Sequence, residues 1–576
     1  MLHKILEQKL QQAVLTVLPD AGAAAVLVRP CPDPKFGDYQ TNALMALAKA
    51  RKMNPRQLAA QVAAKLDIAQ WCEPVEVAGA GFLNFRLKPS ALAQAMREAA
   101  SGRHLFFQKT SEPRCVIIDF SSPNVAKPMH VGHIRSTILG DALARILRLL
   151  GHHVITDNHI GDWGTQFGKL LVGWKSHLDP ERLRADPIAE MERLYKLVNA
   201  QCESDPQILE RARQELVKLQ AGDEENLRLW REMIALSQTQ FERVYARLGV
   251  KFDYSLGESY YNPMLKKVVD ELAAGGLAQA SEGALVVYFE DIPELKDHPA
   301  MVRKSDGGFN YTTTDLATLL FRWEGGAWGV QPNEIIYVTG APQQLHFKQF
   351  FAVFRRWHPE ARVKLAHVWF GSVLGEDGRP FKTRAGDTVR LEDLLDEAEE
   401  RALKVVSEKN PELDPAQKRE IARVVGLGAI KYADLAQNRQ SDYVFSWDRM
   451  LALQGNTAPY LLYAYTRIRS IFRKGGESAA YGADEFVLAA PEELALVRHL
   501  LNFGLALDGA AEDYRPNFLC GYLYELAGHF TRFYENCPVL KTEGATRATR
   551  LALCDVAARV LKQGLDVLGI ETTEQM

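Results

Sequence analysis

The sequence predicts an α/β protein: a doubly wound domain on a parallel sheet, preceded by a small N-terminal α/β unit and followed by an all-α C-terminal bundle. Three observations carry this expectation. A strand, a tight polar turn and a helix follow one another between Cys115 and Leu150. Further short apolar runs recur as far as Phe370, interleaved with helical patterns, as a parallel sheet requires. From Leu391 onward the chain reads as almost wholly helical.

In residues 1 to about 110, helical patterns cover roughly 1–17, 40–51 and 56–66, and Val75 to Leu87 alternates like strands around Gly79 and Gly81. The first segment contains Glu and Gln and no continuous apolar run with a cleavage site, so it reads as an amphipathic structural helix rather than a leader. Residues 101–113, with Gly102, Thr110, Ser111 and Pro113, read as a linker.

The main domain runs from about 114 to 390, interrupted by helical insertions. Val116–Phe120 is β-branched and too short for a helix, hence a buried strand. Pro123 and Pro128 prevent regular structure in the next turn. From Val131 the apolar residues Ile134, Ile138, Leu139, Ala142, Leu143, Ile146, Leu147 and Leu150 mark one helical face, which Gly151 ends. His153–Thr156, Glu334–Thr339 and Ala366–Phe370 are the other expected strands. Between Asp179 and Val250 charged residues alternate with Leu, Ile and Trp at helical spacing, the pattern of a solvated helical hairpin. Residues 391–455 form a helical connecting region and 456–576 the bundle.

A chain of 576 residues, 47% hydrophobic, can bury several cores. Its net charge of −3 excludes a globally basic nucleic-acid binder, so any RNA contact must come from local basic surfaces. Cys31, Cys72, Cys115, Cys202, Cys520, Cys537 and Cys554 are scattered and form no CxxC. That argues for a reduced compartment, with neither a disulfide frame nor a structural metal. No stretch approaches the length of a membrane-spanning helix, and a cytoplasmic protein is expected.

Ligands of doubly wound sheets bind beyond the carboxyl ends of the strands, at helix N-termini. His130 and His133 stand one turn apart at such a place, and two imidazole donors beside converging N–H groups suit a polyphosphate. Two plainer readings compete. The pair is also a fragment of metal motifs, although no carboxylate stands between the histidines and no cysteine cluster lies near. Either ring is also compatible with an ordinary hydrogen-bonded surface histidine.

The surroundings decide between them. Ser121 through Thr137, with Ser122, Pro123, Asn124, Val125, Ala126, Lys127, Pro128, Met129, His130, Val131 and Gly132 as its core, closely resembles the HIGH region of class I aminoacyl-tRNA synthetases, in the form typical of the arginyl-tRNA synthetase family. The similarity continues through Asn158-His159-Ile160-Gly161-Asp162-Trp163-Gly164-Thr165-Gln166-Phe167-Gly168. It implies a Rossmann-type catalytic domain over 114–390 that joins arginine to ATP and then to the 2′-hydroxyl of a terminal adenosine. The attacking carboxylate is ionised at neutral pH, so activation needs positioning and neutralised phosphate charge rather than a general base.

The resemblance implies roles residue by residue. His130, Gly132 and His133, with Pro123 and Lys127, would receive ATP; Gly132 would let the adenine approach the backbone. Lys382-Thr383-Arg384 resembles a degenerate KMSKS loop, with Lys382 the better cation for the leaving phosphates, Arg384 sharing that role and Lys127 compensating for what the loop lacks. A guanidinium offers paired planar donors that a carboxylate accepts and a ring stacks upon. Asp315 follows Tyr311 by four residues, on one side of a helical turn, and the resemblance assigns the pair to the arginine side chain. By periodicity alone Asp315 reads as readily as a helix N-cap. Gln343, Asn124 and His159 would bind other parts of arginine, and Asp119 or Ser121 its α-amino group.

Outside the catalytic domain, the Phe36-Gly37-Asp38-Tyr39-Gln40 turn and Gly81–Asn84 resemble the family's additional domain, which touches the tRNA elbow. In the bundle, Asn456 through Arg469 carries Tyr and Arg rows suited to unpaired bases. Such rows also serve as core; the resemblance assigns Tyr460 and Arg467 to the anticodon. It further implies Mg²⁺ with ATP, a monomer, and activation that waits for tRNA. A synthetase for another amino acid, a small HxGH nucleotidyltransferase and a non-catalytic RNA binder are the alternatives. Tyr311 with Asp315, the long C-terminal module, and the intact His130, His133 and Lys382 oppose them in turn.

Overall fold

The computed structural model describes residues 1–22, 26–379, 381, 389–476 and 486–576. Its central sheet has four parallel strands in the order Lys364–His367, Glu334–Val338, Cys115–Phe120, His153–Asp157. The Cys115–Phe120 strand is internal, and all six residues are buried. Its side chains feed two cores. Cys115 and Ile117 join the cluster of Val268, Leu316 and Phe350, whereas Val116, Ile118 and Phe120 join that of the Val131–Leu149 helix. Both faces are covered, so the strand reads as a continuous apolar run. The helix crosses so closely that a Cβ on Gly140 would lie 2.1 Å from the Phe120 ring.

The edge strand begins at Lys364, two residues before the expected start at Ala366. Its polar first residue is held by a salt bridge of 3.0 Å to buried Glu334. Antiparallel pieces are attached around the sheet: Gln279–Ser281, Ala284–Val287 and Ala300–Arg303 form a separate three-stranded unit.

The expected solvated hairpin over 179–250 is corrected. The segment holds four helices, Pro180–Ala185, Pro187–Ser204, Pro206–Gln220 and Glu224–Leu248. Three start at Asp-Pro pairs, where Asp179, Asp186 and Asp205 cap the first turn and proline occupies its first position. The last helix is no solvated element, for Tyr245 and Ser237 run against the turn that contains His130.

The N-terminal unit has four strands in the order Arg29–Pro30, Tyr39–Thr41, Phe82–Phe85, Glu76–Ala78, with helices Leu2–Val17, Ala43–Ala50, Pro55–Ala63 and Pro89–Ala100. The helix expected from residue 40 thus starts three residues later, because Tyr39 and Thr41 pair with Phe85 and Leu83 instead. The unit sits on the C-terminal helices: Tyr39 donates to Asn502 (3.0 Å), Asp38 pairs with Arg498 (2.6 Å) and Arg559 donates to the Ala99 carbonyl (2.7 Å). Within the expected linker, Phe106 is buried, and a Cβ on Gly504 would meet its carbonyl oxygen at 2.4 Å. The C-terminal half comprises Leu391–Lys409 and Pro415–Leu435, then Ala458–Gly475, Pro491–Leu500, Phe503–Glu512, Pro516–Asn536 and Gly544–Val567.

Candidate active site

The carboxyl ends of the sheet strands gather one cleft. Beyond Phe120 the chain turns through Ser121, Ser122 and Ala126, all with left-handed backbone (φ 73°, 48° and 61°). Three non-glycine residues in that region mark a strained turn, held by its surroundings. Ser121 exchanges hydroxyl hydrogen bonds with Thr137 and Tyr245, each 2.8 Å, and Ala126 N–H donates to Ser237 (3.0 Å). Pro123 accepts from Gly161 N–H and Val125 N–H donates to Gly161, both at 3.0 Å, so Asn124 lies directly over that glycine. A Cβ on Gly161 would collide with Asn124 Oδ1 at 2.2 Å.

His130 caps the Val131–Leu149 helix. Its Nδ1 accepts from Gly132 N–H (3.0 Å), while His133 Nδ1 accepts from His130 N–H (3.1 Å). The rings lie 4.0 Å apart. A Cβ on Gly132 would come within 2.9 Å of the His130 ring, so glycine serves this cap as well as any ligand. Burial pushes His133 down to about 3, with His130 adding to the effect; burial and then Lys127 lower His130. Both rings are therefore neutral at neutral pH, and with each Nδ1 accepting, each Nε2 carries its proton. The pair offers two uncharged N–H donors at a helix N-terminus.

Across the cleft, the Tyr311–Trp323 helix carries Tyr311, Asp315 and Arg322. Tyr311 is 65% exposed and Asp315 opens to the cleft, but Arg322 is fully buried. It pairs with Asp119 and Asp157, both at 2.7 Å, over the Tyr337 ring. The other Asp119 oxygen accepts from the Ser122 hydroxyl (3.0 Å). Of the two candidates for the α-amino group, Ser121 is thus committed to internal partners, and Asp119 is held at the strand's end by Arg322. Gln343 is exposed at the start of the Gln344–Trp357 helix, and His159 bonds the Leu256 carbonyl (3.0 Å).

The structure adds two residues that sequence reasoning missed. His346 contacts Asp315 through Nε2 and meets Tyr311 edge-on at 4.7 Å. Its buried Nδ1 has no partner. Glu258 opens the Glu258–Tyr261 turn; burial raises it to about 7, His159 opposing and Asp315 and Asp162 adding to the shift. A histidine three residues after Gln343 was a visible signal; nothing local distinguished Glu258.

Lys382 and Arg384 lie outside the described residues. On either side, Phe381 N–H donates to Val373 O (3.1 Å), and the 389–391 segment runs beside the cap, with Val131 N–H to Val389 O at 3.0 Å and Leu391 N–H to Met129 O at 2.9 Å. Buried Arg135, from the same helix as His133, donates to Asp434 (2.8 Å) and to the Gly371 carbonyl (2.7 Å).

At the far end, Tyr460 and Arg467 share the Ala458–Gly475 helix. The Arg467 guanidinium lies 4.9 Å over Tyr463 and 5.4 Å over Tyr534, and Tyr460 stands 5.6 Å from Tyr524. Tyr463, Tyr524 and Tyr534 are exposed and complete an aromatic surface that sequence spacing alone had not assembled.

Comparison with known proteins finds matches along the whole chain. A family model described as "tRNA synthetases class I (R), catalytic domain" matches residues 96–447; others, for the "DALR anticodon binding domain" and the "Arginyl tRNA synthetase N terminal domain", match 461–576 and 1–87. The arginine–tRNA ligases of Chromobacterium violaceum and Escherichia coli K12 are 45% and 44% identical, each alignment covering 100% of both chains. The solved arginyl-tRNA synthetase of Thermus thermophilus superposes with a TM-score of 0.85 at 28% identity, covering 100% of both chains. That of Plasmodium falciparum gives 0.83 at 29%, covering 100% and 99%. With three family models laid end to end over it and relatives aligned from end to end, the chain belongs to the class I arginyl-tRNA synthetases.

Proposed function

We propose that the chain activates arginine with ATP to arginyl-adenylate, then passes the arginyl group to the 2′-hydroxyl of its tRNA's terminal adenosine, releasing AMP and pyrophosphate. The observation that carries this reading is the cleft's division into two chemistries. Neutral N–H donors and Lys127 stand on one side; carboxylates, histidines and Tyr311 stand on the other.

On the nucleotide side, the Nε2–H groups of His130 and His133 donate to ATP as charge develops on the α-phosphate, and the helix N-terminus adds its field. Pro123 and Gly132 shape the floor under the nucleotide. Lys127, with Lys382 and Arg384, balances the pyrophosphate that leaves. Mg²⁺ enters with ATP, liganded chiefly by phosphate oxygens and water. Among the described residues there is no group of three or more His, Cys, Asp or Glu disposed to hold an ion.

On the amino-acid side, Asp315 accepts the guanidinium with Glu258 as a second carboxylate, while Tyr311 covers its face. Asn124, His159 and Gln343 bind the rest of arginine, and Asp119, aimed by Arg322, holds the α-amino group. Ser121 contributes through the turn it shapes. A site built of paired polar groups rejects an analogue lacking them by on the order of 10⁴–10⁵ without editing.

Residues 1–110 take the tRNA elbow, 391–455 connect, and 456–576 read the anticodon through Tyr460 and Arg467, to which we add Tyr463 and Tyr534. The protein acts as a monomer, a reading supported by the contacts of the N-terminal unit with the C-terminal helices of its own chain. Seven free thiols fit a reduced, cytoplasmic setting, and among the described residues no helix is long and apolar enough to cross a membrane. Activation waits for tRNA.

The test is ATP–pyrophosphate exchange with each amino acid, with and without tRNA. Exchange with arginine only, and only when tRNA is present, is the expected result. Exchange with another amino acid overturns the Asp315 assignment; full exchange without tRNA overturns the coupling.

A further inference from the structure

The Pro187–Ser204 helix lies in the insertion that the sequence marks as a solvated surface, yet one of its faces is occupied by cations from the catalytic core. Glu192, Tyr195 and Asn199 fall at i, i+3 and i+7, a single stripe along that helix. Lys127, from the turn before His130, places its ammonium 5.6 Å from the centroid of the Tyr195 ring. Lys169, from the Gln166–His177 helix, lies 5.9 Å from the same ring and donates to Asn199 (2.6 Å). Arg390, which forms a bridge with His130, reaches Glu192 (3.6 Å) and the helix cap Asp186 (3.1 Å). Three basic residues from three segments therefore converge on one stripe beside the nucleotide half of the cleft.

We propose that Tyr195 is a positioning residue for ATP activation: its ring face, shared with the Lys169 ammonium that Asn199 holds, keeps the Lys127 ammonium at the phosphates. The inference rests on the reading that Lys127 faces ATP. Its physical basis is that lysine carries a flexible four-carbon stem, costly to order. An ammonium attracted to a ring quadrupole within about 6 Å loses part of that freedom before ATP arrives. The ring does not neutralise the charge, as a carboxylate would, so the ammonium remains available to phosphate. A second cation on the same ring keeps Lys127 from settling deeply on it. The insertion is then part of the catalytic apparatus.

The experiment uses the full chain with tRNA present in ATP–pyrophosphate exchange. Tyr195→Leu keeps apolar bulk but removes the ring; Tyr195→Phe keeps the ring face. Tyr195→Leu is expected to lower kcat/KM for ATP about 3- to 30-fold, the range spanned by such attractions. KM for arginine should stay within about twofold, since that half of the cleft is untouched. Tyr195→Phe should match the wild type. Lys127→Gln should lower kcat/KM for ATP at least as far, and Tyr195→Leu should add nothing to it in the double variant. Wild-type kinetics in Tyr195→Leu beside an impaired Lys127→Gln overturn the proposal, as does full additivity of the two. Wild-type exchange in Lys127→Gln instead overturns the reading of Lys127 on which it rests.

Discussion

His346 Nε2 lies 2.5 Å from Asp315 Oδ2, joining the Gln344–Trp357 helix to the Tyr311–Trp323 helix at the mouth of the cleft. The contact aims the carboxylate and leaves the other ring nitrogen of His346 unpartnered. Asp315→Ala should therefore lower kcat/KM for arginine by about 10²–10⁴, because a guanidinium loses its charged partner. His346→Ala should cost about tenfold, through a loosened carboxylate. Binding of ATP, followed by calorimetry, should be little changed in both; equal losses for the two substrates would contradict the division of the cleft.

Glu258 should make arginine binding pH-dependent. Its carboxyl is raised to about 7, so below that pH it is neutral and offers the guanidinium no charge. Raising the pH ionises it, and bound arginine pulls the same pKa down, so affinity rises with pH and then levels. Kd for arginine should fall about fivefold from pH 6 to 7 and only about twofold from 7 to 8. Calorimetry across that range checks it, and Glu258→Gln should flatten the curve while weakening binding at pH 8.

Arg135 and Asp434 are both buried, joining the His130 helix to Pro415–Leu435. Burial raises the Asp434 carboxyl and Arg135 opposes the shift. Asp434→Ala leaves an uncompensated guanidinium between the Phe370 and Tyr443 rings, at a cost of about 3–5 kcal/mol. Thermal unfolding should show a marked drop in Tm. Replacing both partners by apolar residues of similar volume should recover much of it.

Arg467 is sandwiched by Tyr463 and Tyr534 on an exposed surface. Arg467→Ala and Tyr463→Ala should each raise KM for tRNA about tenfold, as loss of a stacked base does, with KM for arginine unchanged. Filter binding of tRNA at two salt concentrations separates the two: the Arg467 variant should show a shallower salt dependence, the Tyr463 variant an unchanged one.

The strands of the parallel sheet and the His130 helix were legible because each is local. A buried strand and a helical stripe leave their periods in neighbouring residues. Boundaries failed where partners were distant: Gln40 and Thr41 open the expected helix over 40–51 but pair with Asn84 and Leu83.

The sequence by itself determined the family and the strand–turn–helix that bears His130 and His133. Only the tertiary structure decided that Glu258 and His346 join Asp315, that Arg322 holds Asp119, and that Tyr195 carries Lys127. The physical reason is common to all four. Each comes from an element whose local pattern is that of an ordinary helix or turn, and its role exists only through a partner brought close by packing, across 4 residues at most in the legible pairs but 68 between Lys127 and Tyr195.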